Sequence, residues 1–209
     1  MNNATPSTIR LRESDRAALE AHFLALDGED RRLRFGSPIR DAVLREYVAR
    51  LDFGRDGLFA VQDDYFHLLA VVHVAFSGEN AELGLSVLGG RRGLGLGSAL
   101  FTRAVIHLRN RGAAEVFVHC LSENGAMMHL ARKHGMRVIP EGAETEARLE
   151  LDPATPHSHY LEWMHDHHAR ALQTVRHNLR LSRVMLGIFA PGRSALSARA
   201  RAAPATSRG

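Results

Sequence analysis

Residues 82–100, ELGLSVLGGRRGLGLGSAL, constrain the fold of this chain more than any other stretch. The alternating stretch from Ala81 to Leu88 reads as a strand, and a segment with apolar residues at helical spacing begins at about Gly95 and continues to Arg111. Between them three glycines, Gly93, Gly95 and Gly97, alternate. Glycine adopts backbone angles closed to other residues and lets main-chain N–H groups approach a ligand with no Cβ in the way. A helix N-terminus adds unpaired N–H donors and a partial positive charge, about 0.3–2 kcal/mol toward a nearby anion. Any one of these glycines is explained by a tight turn and close helix–sheet packing. Three in alternation beside Arg91 and Arg92 favour a cradle for phosphate or pyrophosphate. A nucleoside-triphosphate loop needs a lysine directly after its last glycine, and the only lysine is the distant Lys133. A dinucleotide loop needs Gly-x-Gly-x-x-Gly and an acid closing the next strand. Here the spacing is Gly-x-Gly-x-Gly, the next strand ends Cys120-Leu121-Ser122, and Glu115 precedes that strand.

The pattern around this loop changes character along the chain. A short strand, Thr8 to Arg12, leads to a helix capped by Ser14 and Asp15 with Leu19, Phe23, Leu24 and Leu26 at helical spacing. A polar loop follows, and Ser37-Pro38 opens a second helix that puts Val43, Leu44, Tyr47, Val48 and Leu51 on one face. Three strands come next, Leu58 to Gln62, Phe66 to Phe76 and Ala81 to Leu88, joined by turns short enough for antiparallel hairpins. Beyond the glycine loop, helix and strand alternate: a strand from Val116 to Leu121, a helix from Glu123 to His134, then strands around Met136–Ile139 and Ala147–Leu151. Pro153 and Pro156 mark a boundary. Residues 158–189 read as a long helix with an apolar stripe at Leu172, Val175, Leu179, Leu186 and Phe189, suited to packing on the body or on a second subunit in a homodimer. The expected division is a domain over 1–152, a helical extension over 153–190, and a disordered Ala/Arg/Ser/Pro-rich tail over 191–209.

With these elements in place, Arg92-Gly93-Leu94-Gly95-Leu96-Gly97 resembles the Arg/Gln-x-x-Gly-x-Gly/Ala motif of the GNAT superfamily of acyl-CoA-dependent N-acyltransferases. Asn124 to Met136 resembles that family's Asn-then-helix-then-Gly segment at the usual distance, and the order of elements over residues 7–151 agrees. The resemblance implies an α/β fold of the α+β type: a central mixed, mostly antiparallel sheet flanked by helices, with the C-terminal helices as an extension. It implies an acyltransferase that moves an acetyl group from acetyl-CoA to a primary amine of a protein or small molecule by direct attack in a ternary complex. The fourth and fifth strands would splay apart, with the pantetheine arm in the gap along the backbone of Val87 and Leu88. The pyrophosphate would sit on the N–H groups of Arg92, Gly93, Leu94, Gly95, Leu96, Gly97 and Ser98, and Asn124 would hold the pantetheine amide, although Asn is also a good helix cap.

An alkylamine with a pKa near ~10.4 is about one part in a thousand neutral at pH 7, so acetyl transfer gains from a general base. Glu82 opens the fourth strand where several members of the family carry a catalytic glutamate, on one face with Gly84 and Ser86. An exposed strand-end glutamate is its plainer reading. His73 is the second candidate. The family often has a tyrosine seven residues beyond the Asn to protonate the leaving thiolate; here that residue is Ala131, with Ser122, His119, Cys120 and His134 as possible substitutes. The rivals are a non-catalytic acyl-CoA-binding regulator and a module whose basic C-terminal helix binds an acidic partner or an anionic membrane.

Composition bounds the rest. Residues 1–152 carry 19 basic and 21 acidic side chains and residues 153–209 carry 8 and 2, so the basic character belongs to the C-terminal quarter and no nucleic-acid partner is expected for the body. Six of the thirteen histidines, His165, His167 and His168 among them, fall within residues 157–177 without a complete ligand set, so no metal is expected. One cysteine, no apolar run of ~18 residues and no signal-like N-terminus make a soluble cytoplasmic protein the expectation.

Overall fold

The computed structural model describes residues 6–167. Seven strands form one sheet in the order β1-β2-β3-β4-β5-β7-β6. They are β1 (Ile9–Arg10), β2 (Gly57–Gln62), β3 (Leu68–Ser77), β4 (Asn80–Val87), β5 (Glu115–Leu121), β6 (Arg137–Glu141) and β7 (Glu144–Glu150). Every neighbouring pair is antiparallel except β4 and β5. The helices are α1 (Arg16–Leu24), α2 (Gly28–Phe35), α3 (Asp41–Arg50), α4 (Leu96–Asn110), α5 (Gly125–Lys133) and α6, helical over residues 156–167. This is the mixed, mostly antiparallel sheet flanked by helices that the sequence implies. The apolar stripe from Leu172 to Phe189, His168 and the tail over 191–209 lie outside the described residues. No helix among the described residues is long and apolar enough to cross a membrane.

Strand alternation sends side chains to two faces, and each face has its own core. Phe59, Val72, Val74, Leu83 and Val118 pack under α4 and α5 with Leu100, Phe101, Leu108 and Met128. Leu58, Ala60 and Val71 pack on the opposite face with Leu19, Phe23, Leu44 and Val48 of α1 and α3. Burying side chains of this size stabilises by about 1.5–3 kcal/mol each, which fixes the sheet between its helices.

Two local features depart from the sequence reading. The polar stretch after α1 is not a loop but α2: Asp27 caps it by accepting the Asp30 N–H at 2.7 Å, and Gly36 ends it at φ +76°. The helix α3 starts at Asp41, so Ser37-Pro38 belongs to the connection and not to the helix entry. At the other end of the described chain, Thr155 and Ser158 exchange backbone and hydroxyl hydrogen bonds at 2.9 and 3.1 Å, a capping box that opens α6.

Candidate active site

The parallel pair of β4 and β5 extends only over Asn80–Glu82 and Glu115–Phe117. Beyond it the strands part, leaving the second half of each without a neighbour on that side. The N–H of Leu88 donates to the Leu69 carbonyl at 3.0 Å, on the β3 side. Alternation therefore turns the backbone groups of Leu83, Leu85 and Val87 into the gap. Val87 lines the cavity there. Leu88 does not face it: its N–H is taken by β3 and its side chain packs with the α1/α3 core.

One end of the gap is a cavity of about 430 Å³ bounded by the glycine loop, α2 and the start of α5. Gly93 and Gly95 both hold φ +75°, where a side chain would be strained, and nothing lies within 4 Å of the position a Cβ would take at either. Gly97 is ordinary helix, within van der Waals reach of Leu85. Gly95 is the N-cap of α4, so the N–H groups of Leu96, Gly97 and Ser98 have no partner inside the helix. The Leu96 side chain itself is buried in the core and Leu94 is exposed, so any contact these two make with a ligand here is through backbone. Arg91, Arg92 and Lys133 add positive charge to the cavity wall. Arg92 also pairs with the buried Asp30 and so ties α2 to the loop. Open backbone donors, two glycines with left-handed backbone and three cations fit the diphosphate of an acyl-CoA.

Asn124 lines this cavity, yet both ends of its amide are engaged. Its Oδ1 caps α5 by accepting the Met127 N–H at 3.0 Å, and its Nδ2 donates to the Leu33 carbonyl of α2 at 3.2 Å. It acts here as a cap and as a brace between two helices.

The other end of the gap is a cavity of about 310 Å³ that shares Arg34, Leu85 and Asn124 with the first. Glu82 lines it from β4 and is exposed; no ion pair or hydrogen bond of its carboxylate exists among the described residues. Arg34 reaches in from α2 and lies directly against Gly84, where a Cβ would overlap its guanidinium. Behind it runs a chain of polar groups on the same face of the sheet. Arg34 Nη2 is 3.4 Å from the Tyr47 hydroxyl, that hydroxyl is 2.8 Å from His73 Nδ1, and His73 Nε2 is 3.1 Å from Asp56 Oδ2. Burial pushes the His73 pKa down, partly countered by the hydrogen bond to Asp56. A neutral His73 donates from Nε2 to the carboxylate and accepts the Tyr47 proton at Nδ1, so neither nitrogen is free to serve as base. His22 is also buried, with Nδ1 2.9 Å from the Leu68 carbonyl and Nε2 2.8 Å from Ser86 Oγ.

The side chains offered in place of the tyrosine are engaged or lie apart from it. Ala131 is fully buried in the α4/α5 core. His134 Nε2 meets Ser98 Oγ at 2.9 Å, and its ring stacks on Phe101. Ser122 bonds the Gly142 carbonyl and the Thr145 hydroxyl. His119 and Cys120 do line the smaller cavity. His119 is held by Glu146 at 2.7 Å, and burial pushes the Cys120 thiol pKa up. No group of three or more His, Cys, Asp or Glu side chains among the described residues could hold a metal ion. The residues that sequence reading missed are Arg34, Tyr47, Asp56 and Asp30. They come from α2, α3 and the turn before β2, and only the fold brings them to the gap.

The family model described as "Acetyltransferase (GNAT) family" matches residues 23–136. No curated protein matches the sequence. Among solved structures, the GNAT domain of PAT from S. lividans is similar with a TM-score of 0.60 at 18% identity, over 69% of this chain and 89% of that one. The yncA protein of Salmonella typhimurium, solved with its cofactor acetyl-CoA, gives 0.56 at 15% identity over 73% and 97%. The ribosomal-protein-S18-alanine N-acetyltransferase of Escherichia coli gives 0.52 at 17% identity over 71% and 96%. At these identities the likeness is one of fold.

Proposed function

Since this chain belongs to the GNAT acetyltransferase family, we propose that it moves an acetyl group from acetyl-CoA to a primary amine by direct attack in a ternary complex. The body of the transferase is residues 1–152, residues 153–190 are an extension, and the work is cytoplasmic, where acetyl-CoA is at hand. The observation that carries the reading is the gap between β4 and β5: it opens at one end on the glycine cradle and holds an unpaired carboxylate, Glu82, at the other. Backbone N–H groups from Gly93 to Ser98, with the side chains of Arg91, Arg92 and Lys133, would hold the diphosphate, while the Arg92 N–H expected among them donates to the Gly89 carbonyl. The gap-facing backbone of Leu85 and Val87 would pair with the pantetheine. When bound, acetyl-CoA supplies a thioester carbonyl carbon open to a nucleophile.

Glu82 would take the proton that the ammonium must lose. As the amine nitrogen bonds to the carbonyl carbon, the carbon–sulfur bond breaks and the electron pair leaves on sulfur. Nitrogen loses a second proton as the amide forms; of the two, one ends on the CoA thiolate by way of water and the other passes from Glu82 to solvent. With Ala131 in place of a tyrosine, that position of α5 has no acid to offer the thiolate.

Glu82→Gln keeps size and hydrogen bonding but cannot accept a proton. Turnover should fall about 10²–10⁴-fold with acetyl-CoA affinity little changed, and the residual rate should climb with pH. A pH–rate profile that overlays wild type removes Glu82 from the mechanism. A chain that CoA stabilises against heat but that acetylates no amine would instead be an acyl-CoA-binding regulator.

A further inference from the structure

Arg34, Glu82 and Glu144 all line the 310 Å³ cavity, and among the described residues the guanidinium pairs with neither carboxylate. Glu82 is the acid on the same strand face as Gly84, against which Arg34 lies. Elsewhere in the described chain the arginines that reach into the structure meet an acid: Arg31 pairs with Asp41, Arg32 with Glu29 and Glu123, Arg103 with Glu162 and Asp166, and Arg148 with Glu115 and Glu146. Arg34 has no carboxylate partner among the described residues. Its Nε is buried without a hydrogen bond, and its Nη2 has only the long 3.4 Å contact with the neutral Tyr47 hydroxyl. The fold nevertheless makes room for it. Gly84 leaves the space that the guanidinium fills, the Phe35 ring lies 4.8 Å from its centre, and α2 brings it to the point where the two cavities meet.

A half-buried guanidinium without a counterion binds an oxyanion well, because planar paired N–H donors match a carboxylate and the low local dielectric strengthens the contact. Glu82 stands two positions along β4 from Gly84 on the same face, about 7 Å of strand away. One end of the site thus favours a cation and the other an anion, at the spacing of a small zwitterion bound between them. From this geometry we infer that the acceptor is a free amino acid or a closely similar amine that carries a carboxylate within a few bonds of its nitrogen. Its amine faces Glu82, and its carboxylate takes the unpaired face of Arg34. A protein lysine or a protein N-terminus has no such carboxylate beside the reacting amine and would leave Arg34 without its partner. A cavity of this size is at the small end for ligand sites and suits one amino acid. The inference rests on the acetyltransferase reading and names the acceptor class for the same cavity; Arg34 is its specificity-determining residue.

The test compares kcat/KM for the twenty common amino acids, their primary amides and their decarboxylated amines, at saturating acetyl-CoA. Wild type, Arg34→Gln and Arg34→Lys are each assayed, with the CoA-induced rise in melting temperature as the check on folding and donor binding. In wild type the preferred free acid should exceed its own amide and its decarboxylated amine by about 10- to 100-fold. Arg34→Gln should lose that ratio by lowering turnover of the acid alone, Arg34→Lys should keep part of it, and CoA should stabilise all three chains alike. An equal rate for acid and amide in wild type overturns the inference. So does a ratio that survives Arg34→Gln, or an Arg34→Gln chain that loses CoA binding instead, which would assign the guanidinium to the donor. Turnover of decarboxylated amines but of no amino acid overturns the acceptor class while leaving the acetyltransferase standing. Stabilisation by CoA with no turnover of any amine of this panel overturns the acceptor class, and no turnover of a lysine-containing peptide with a free N-terminus either overturns the acetyltransferase reading as well.

Discussion

Gly84 lies on β4 directly beneath the Arg34 guanidinium, and a methyl group added there would overlap the end of a flexible side chain, not backbone. Gly84→Ala should therefore shift Arg34 with little effect on folding. We expect stability within about 1 kcal/mol of wild type and acceptor kcat/KM reduced about tenfold or more, read by urea unfolding alongside steady-state kinetics. A large stability loss with unchanged kinetics would show that the contact is structural. His22 makes a different prediction. Burial, aided by the charge of Arg34 and opposed by the hydrogen bond to Leu68, brings its pKa down to about 4. The folded chain keeps His22 neutral where an unfolded one, near 6.5, takes up a proton. Stability from this residue is thus full above pH 6.5, declines as the pH falls toward 4, and levels off below, by roughly 3 kcal/mol in all. His73, also lowered by burial, adds in the same direction. Urea unfolding at pH 7.5 and pH 4.5 should show a smaller pH dependence in His22→Gln than in wild type, and equal dependence would mean that His22 titrates as a solvated histidine. Neither effect is legible in the sequence, because Ser86 and Leu68, the partners of His22, are 64 and 46 residues away along the chain.

Elements with an apolar period could be read in advance, and the one without it could not. The β2–β3–β4 meander, α4 and α5 carry their period in full, and their observed limits fall within a few residues of those expected from it. The sequence of α2, GEDRRLRF, has no apolar stripe. Its signals lie at its ends, in the Asp27 cap and in Gly36 with its left-handed backbone, and a reading driven by hydrophobic spacing passes over both. That omission also hid one wall of the smaller cavity, since Arg34 projects from α2 and Asp30 anchors the helix to Arg92. Asp27→Ala removes the side chain that holds the Asp30 N–H and should destabilise by about 1 kcal/mol. If α2 forms the acceptor wall, KM for the acceptor should rise in this variant while the CoA-induced melting shift stays. The glycine loop was legible because its shape is set by local backbone. Gly95→Glu puts a carboxylate, on a residue forced to φ +75°, among the donors at the start of α4. CoA should raise the melting temperature of wild type and leave this variant unmoved, and equal shifts would take the diphosphate away from the loop.

Across the described molecule, α6 meets α4 through charge, and the apolar stripe expected from Leu172 to Phe189 lies outside the described residues. Glu162 of α6 accepts from His107 Nδ1 at 2.7 Å and from Asn110 Nδ2 at 2.6 Å, and it lies 3.2 Å from Arg103. Arg103 has no exposed surface, rests over the Phe59 ring at 4.5 Å and also meets Asp166 at 2.5 Å. Burial by itself would raise the Glu162 pKa. The hydrogen bonds from His107 and Asn110 and the charges of His107 and Arg103 outweigh it and bring the pKa down to about 2. A carboxyl lowered in this way stabilises fully above its unfolded value near 4.3 and loses that contribution as the pH falls through 2. Glu162→Ala leaves the buried Arg103 and His107 short of a partner and should cost about 2–4 kcal/mol at neutral pH, less than complete loss because Asp166 remains. Trp163, the single tryptophan, is exposed and its ring lies against Tyr160 and His167 of the same helix, so its fluorescence reads the unravelling of α6 once the helix is no longer held. If the charge cluster holds α6 to α4, Trp163 fluorescence in Glu162→Ala should change at lower urea than the far-ultraviolet dichroism of the sheet and its helices. In wild type at pH 7 the two transitions should coincide. As wild type is taken from pH 5 toward pH 2, the fluorescence transition should move ahead of the dichroism, whereas in Glu162→Ala the separation should change little over that interval. Coincident transitions in both chains at every pH would mean that α6 is held by contacts other than this cluster.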